Sequence, residues 1–207
     1  MRYTKDHKAK AKAAILRQAS GTMKEKGFHG VGVDALATAA HVTSGALYSN
    51  FAGKEGLLEE VVAAEVGLQF AGVADAGPDP AERRRRLVEI LRSYLSDQHR
   101  ADPGGGCVIP SLSADVARAG DSVRETYRRR MLELVNTLAP AMTGTPQEQD
   151  RHAWAMIASI VGAVTIARAL PRGDDAHAVL DSTLETVLRT LDDEQNPLSE
   201  TPPTAQP

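Results

Sequence analysis

Residues 33–51 read VDALATAAHVTSGALYSNF, and residues 53–58 read GKEGLL. Helical spacing places Val33, Leu36, Ala37 and Ala40 on one face, so a short helix is expected over 33–40. His41 and Val42 make a turn. Thr43 can cap a second helix over 44–50 by accepting a hydrogen bond from a free backbone N–H, and 51–53 break it. Ala37 and Ala40 let the two helices approach closely, while Val42 and Leu47 plug the core beneath the turn. Two short helices joined in this way make a helix-turn-helix. The second presents Ser44, Gly45, Ala46 and Tyr48 near its start. Small residues there let backbone reach a major groove, and a helix N-terminus favours a phosphate. Leu47 and Phe51 read as core.

Outward from this stretch, helical spacing continues. A first helix is expected over 4–26, with Ala14, Ile15, Ala19, Met23 and Phe28 on its buried side and Gly27 as its stop. A fourth begins at Lys54 and reaches about 71. Residues 75–80 (DAGPDP) form a joint. Further helices are expected over 81–99, 109–117, 122–142, 147–170 and 176–191, with a glycine loop at 102–106. No strand alternation of useful length and no internal repeat are visible, so the fold class is all-α. The tail from 192 holds four prolines and no aromatic residue, and is expected to be disordered.

Charge is unevenly distributed. Residues 1–56 carry nine Lys/Arg against four acids, a balance of +5 within a chain of net charge −3, so the remainder stands at −8. A basic head on an acidic body points to a polyanion met by the head alone. The hydrophobic share, 42%, is ample for a packed core. The apolar run 153–170 includes Ser159, Thr165 and Arg168, which suits a buried helix better than a membrane span. The N-terminus lacks the apolar region and cleavage site of a signal peptide, and a single cysteine fits a reducing cytoplasm. HExxH, GxSxG, Walker A and paired-cysteine metal spacings are missing and the six histidines are dispersed, so neither an enzyme nor a metal or cofactor site is expected.

The order and spacing of VTSGALYSNF (42–51) with KEGLL (54–58) resemble the TetR/AcrR family of bacterial transcriptional repressors. The resemblance runs from the first helix to the start of the fourth. It implies an N-terminal three-helix DNA-binding domain (1–53), a C-terminal helical ligand-binding and dimerisation domain (54–191) and the tail (192–207). Tyr48 and Lys54 would contact phosphates, aided by Thr43 and Ser49. Ser44, Gly45, Ala46 and Asn50 would face bases or lie beside them. Lysines of the first helix, with the arm before them, would approach the flanking backbone. Three positions depart from the family pattern. Gly32 replaces a capping Ser or Thr, Ala35 replaces an acid that completes a capping box, and His41 replaces the turn glycine. A turn that needs positive φ is tolerable for His, though not free.

The resemblance also implies a homodimer built by the last two long helices, on the stripes Ile157, Ile160, Val161, Val164 and Leu180, Leu184, Val187, Leu188. Independently, two recognition helices on a twofold axis read a palindromic operator that one cannot. An unidentified small-molecule inducer would sit among Tyr94, Gln98, Cys107, Tyr127, Met131, Trp154 and Met156. Cys107 follows a glycine run near a helix start, where a thiol is more acidic. Hence the alternative is a thiol sensor of electrophiles or oxidants on the same scaffold, against an inert small hydrophobe. The runs Arg83–Arg86 and Arg128–Arg130 read as solvated faces paired with nearby acids.

Overall fold

The computed structural model describes residues 5–193, with side chains from 12 to 191. Residues before 5 and after 193, including most of the expected tail, lie outside it. All described elements are helical: α1 (Lys5–Lys26), α2 (Val33–Ala39), α3 (Ser44–Asn50), α4 (Gly53–Glu65), α5 (Ala71–Asp75), α6 (Pro80–Tyr94), α7 (Asp97–Ala101), α8 (Val108–Val116), α9 (Asp121–Leu138), α10 (Pro146–Ala169) and α11 (Asp174–Asp193). Short 3₁₀ turns lie at Leu68–Phe70 and Ala139–Ala141.

Helix starts follow local side-chain chemistry. Asp79 accepts from the Ala81 N–H with Pro80 at the first position of α6, and Ser96 accepts from His99 at the start of α7. Thr145 and Glu148 form a reciprocal capping box ahead of α10. Two expected helices divide. The fourth stops at Glu65 because Gly67 turns left-handed at φ 86°, a backbone state glycine adopts without penalty. The free Val66 carbonyl then accepts from Arg130 at 2.8 Å. The fifth, expected over 81–99, stops as α6 at Tyr94, where the Ser96 cap restarts the chain as α7.

α1, α2 and α3 pack as a compact head. Ile15, Ala19, Met23, Leu36, Ala37, Leu47 and Phe51 fill its centre, whereas Ala14 is exposed. The body pairs α10 along α11 and α4 along α9, with α6 and α8 closing it. A single apolar cluster runs from Ile15 to Leu191 through head and body. α10 is long and apolar enough to cross a bilayer by composition, but Ala153, Met156, Ile157, Ile160, Ala163, Val164 and Ala167 face this core. It is a core helix and not a membrane span.

Candidate nucleic-acid interface

The α2–α3 turn is built by backbone. His41 occupies the left-handed region at φ 55°, and the Val42 N–H reaches the Ala37 carbonyl at 2.9 Å. The positive φ expected at this position is therefore present on a residue other than glycine. Gly32 gives α2 no side-chain cap, as expected from its missing hydroxyl. Thr43 accepts from the Ala46 N–H at 3.1 Å and caps α3.

α3 lies on the surface with only Leu47 buried. Tyr48 is 56% exposed, an unusual degree for a large aromatic side chain in an ordered helix. Gly45 and Ser49 are exposed, while Ser44, Ala46 and Asn50 are half-buried. The polar atoms of α3 are partly committed. Ser49 Oγ donates to the Ala46 carbonyl at 2.9 Å, and Asn50 Nδ2 to the same oxygen at 2.7 Å. Ser44 Oγ donates to Asp34 Oδ1 across the turn. Lys54 stands at the start of α4 with its ammonium 4.3 Å from the centre of the Phe28 ring, a cation–π contact that aims it from the head surface. Lys12 pairs with Glu60 and lies over Phe51. The side chains of Lys5, Lys8 and Lys10, and the arm before them, lie outside the described residues.

Behind this surface, the head is fastened to the body by groups that sequence reasoning missed. Lys24 is buried, and its ammonium donates to Glu65 Oε2 at 2.8 Å and to the Gly106 carbonyl at 3.0 Å. Asp115, also buried, accepts from the Phe28 N–H at 3.1 Å. A signal for Lys24 existed: it sits one residue beyond Met23, in the i, i+4 row of Leu16 and Ser20 that borders the apolar stripe.

The residues expected at an inducer site divide. Tyr94, Cys107, Met131 and Met156 are buried and Tyr127 half-buried, whereas Gln98 is exposed and Trp154 is 41% exposed. Tyr94 and Cys107 abut, and burial pushes both the phenol and the thiol up in pKa. The acidifying effect expected of a helix start is outweighed at Cys107, which is fully enclosed. Tyr127 bonds Ser113 at 2.8 Å. His99 takes the Cys107 N–H on Nε2 at 3.0 Å and reaches the Tyr94 carbonyl through Nδ1 at 2.6 Å. Burial lowers its pKa, and the neutral ring with its proton on Nδ1 satisfies both contacts. A surface recess of about 180 Å³ bounded by Gln69, Ile90, Ser93, Tyr94 and His99 leads to this cluster. Met156 instead lines a separate apolar recess of about 110 Å³ with Met142, Val187 and Leu191.

Of the residues expected at a dimer interface, Ile157, Ile160, Val164, Leu180 and Val187 sit in the chain's own core, and Val161, Leu184 and Leu188 are half-buried. The outward face of α10 carries Trp154, Ala158, Val161, Gly162, Thr165 and Ile166, the last 53% exposed. Arg85 and Arg86 pair with Glu82 and Glu89. Arg84 instead reaches inward to the Ala141 and Leu191 carbonyls. Among the described residues no three His, Cys, Asp or Glu side chains gather as a metal site would need.

Comparison with known proteins agrees with this geometry. Residues 15–61 match the model of the bacterial regulatory proteins of the tetR family. No match is found among curated proteins. Several solved structures share the fold over nearly their whole length. The reduced form of NemR from E. coli is 18% identical, covering 87% of this chain and 96% of that one, with a TM-score of 0.69. A TetR-family regulator from Cytophaga hutchinsonii is 21% identical, covering 93% and 98%, also at 0.69. FadR from Bacillus subtilis, solved with stearoyl-CoA, is 18% identical, covering 86% and 98%, at 0.64. Residues 15–61 thus match the regulatory-protein model of the tetR family, and the chain as a whole shares the all-helical fold of solved TetR/AcrR regulators.

Proposed function

We propose that this regulator is a cytoplasmic homodimeric repressor that binds a palindromic operator through α3 and leaves it when a small molecule enters the body. The observation that carries the reading is the recognition helix itself, with its start capped by Thr43 and Tyr48 projecting into solvent. Tyr48, Lys54, Thr43 and Ser49 would meet phosphates; Ser44, Gly45, Ala46 and Asn50 would lie along base edges. Residues 1–53 would act as the DNA-binding domain, 54–191 as the ligand-binding and dimerisation domain, and 192–207 as an appended tail.

The dimer is supported by the apolar and small residues left on the outside of α10, around Gly162, with the half-buried Leu184 and Leu188 of α11 beside them. The inducer is placed against Tyr94, Cys107, Tyr127 and Met131, with access past His99. Displacing the glycine loop there would move the Gly106 carbonyl that Lys24 holds, and with it α1 and α4. Ligand weakens DNA binding to the extent that it prefers the displaced arrangement. Selection of duplexes from a random pool, followed by titration of the complex with candidate metabolites, tests the reading. A folded dimer that retains no duplex at low salt would refute it.

A second reading makes Cys107 a thiol sensor. Its position at the start of α8, against Tyr94 and the glycine loop, favours it; its burial and raised pKa oppose it. Cys107→Ser decides: unchanged release of DNA by an electrophile ends the thiol reading and leaves the ligand reading intact.

A further inference from the structure

We propose, on the reading that α3 enters the major groove, that Asp34 and Ser44 form an acceptor-only pair selecting a base with an exocyclic amino group, cytosine above all, at one position of each half-site. Asp34 lies in the first turn of α2 and is exposed, and Ser44 is the first residue of α3. The Ser44 hydroxyl donates to Asp34 Oδ1 at 2.5 Å. A carboxylate has no proton to return, so the only proton of that hydroxyl is committed. What the pair offers outward is lone pairs, on Ser44 Oγ and on Asp34 Oδ2.

The remaining polar groups of α3 sharpen this assignment. Thr43 Oγ1 accepts from the Ala46 N–H and keeps its own proton to donate, which suits a phosphate. Ser49 gives its proton to the Ala46 carbonyl and is left as a further acceptor. Residues 33–51 contain neither arginine nor lysine, so the bidentate reading of guanine O6 and N7 is unavailable to α2 and α3. In the major groove cytosine shows the N4 amino group, adenine shows N6 beside the N7 acceptor, and guanine N7/O6 and thymine O4 show acceptors. An acceptor pair therefore gains from cytosine, gains less from adenine, and meets repulsion from guanine or thymine. The carboxylate also opposes the phosphate field generally, so it trades affinity for choice.

A simpler role would be a staple between α2 and α3, and base preference separates the two. The full-length protein selects duplexes from a randomised pool. Affinity is then measured for every single-base change in the selected half-site, with wild type, Asp34→Asn and Ser44→Ala. Wild type should prefer cytosine at one position by about tenfold over guanine or thymine. Both substitutions should reduce that preference to about twofold, at that position alone. Asp34→Asn should in addition bind unselected duplex more tightly at low salt, which a lost staple would not produce. Unaltered preference in either variant, or equal weakening at every position, overturns the base assignment while α3 keeps its role. A wild-type protein that enriches no duplex overturns the reading of α3 itself, and the assignment with it.

Discussion

Tyr48 is the most informative single residue on the DNA side. A hydroxyl on a 56% exposed ring contributes little to the fold and would contribute a good deal to the proposed phosphate contact. Tyr48→Ala should weaken binding to every duplex and lessen the salt slope by about one unit, with the melting temperature unchanged. Fluorescence anisotropy across a salt series measures both effects. His41 gives the converse case, a residue whose cost lies in backbone. At φ 55° its Cβ crowds the following carbonyl, which glycine avoids. His41→Gly should therefore raise stability by roughly 0.5–1 kcal/mol in urea unfolding.

At the scale of elements, the link between α1 and the body is the most sensitive joint. Lys24 is enclosed between Glu65 of α4 and the Gly106 carbonyl. Lys24→Met would leave the largely buried Glu65 carboxylate and that carbonyl without their donor, costing about 3 kcal/mol by denaturant unfolding. The neighbouring His99 gives the same joint a pH dependence. Its folded-state pKa is lowered, by burial first, beneath the usual 6.5, so the unfolded chain binds the extra proton more readily. Stability from this group is full above about pH 6.5 and falls as pH drops below that value. Protonation would set an N–H on Nε2 against the Cys107 N–H. Thermal melts from pH 8 to 5 should show this loss, and His99→Gln should flatten it.

At the scale of the molecule, the proposed dimer sets the geometry of two heads on one operator. Ile166 is 53% exposed on the outer face of α10 and contributes little to the chain's own core. Ile166→Glu should leave helicity and melting of the protomer intact while yielding monomers in light scattering. Affinity for a two-half-site duplex should fall toward that of a single half-site. A dimer that survives Ile166→Glu with the operator affinity of wild type would place the interface elsewhere.

The head could be read from residues alone because its determinants are local. Thr43 caps within three residues, Leu47 and Phe51 return at helical spacing, and α3 falls on the expected residues 44–50. The body was legible only as helices, and their ends moved where Gly67 and Ser96 took control. Which stripe of α10 faces inward, and how Cys107 titrates, were settled by packing. An apolar stripe is the same pattern whether its partner is the chain itself or another copy, and a thiol responds to its enclosure more than to its place in the chain. Periodicity places Lys24 beside the apolar stripe but does not announce its partner Gly106, 82 residues away, nor the Asp34–Ser44 bond across the turn. Sequence by itself determined the all-helical class and the helix-turn-helix, through short-range hydrogen bonding and hydrophobic period. Tertiary structure alone decided burial, protonation and the linkage of head to body, because these depend on neighbours that only folding brings together.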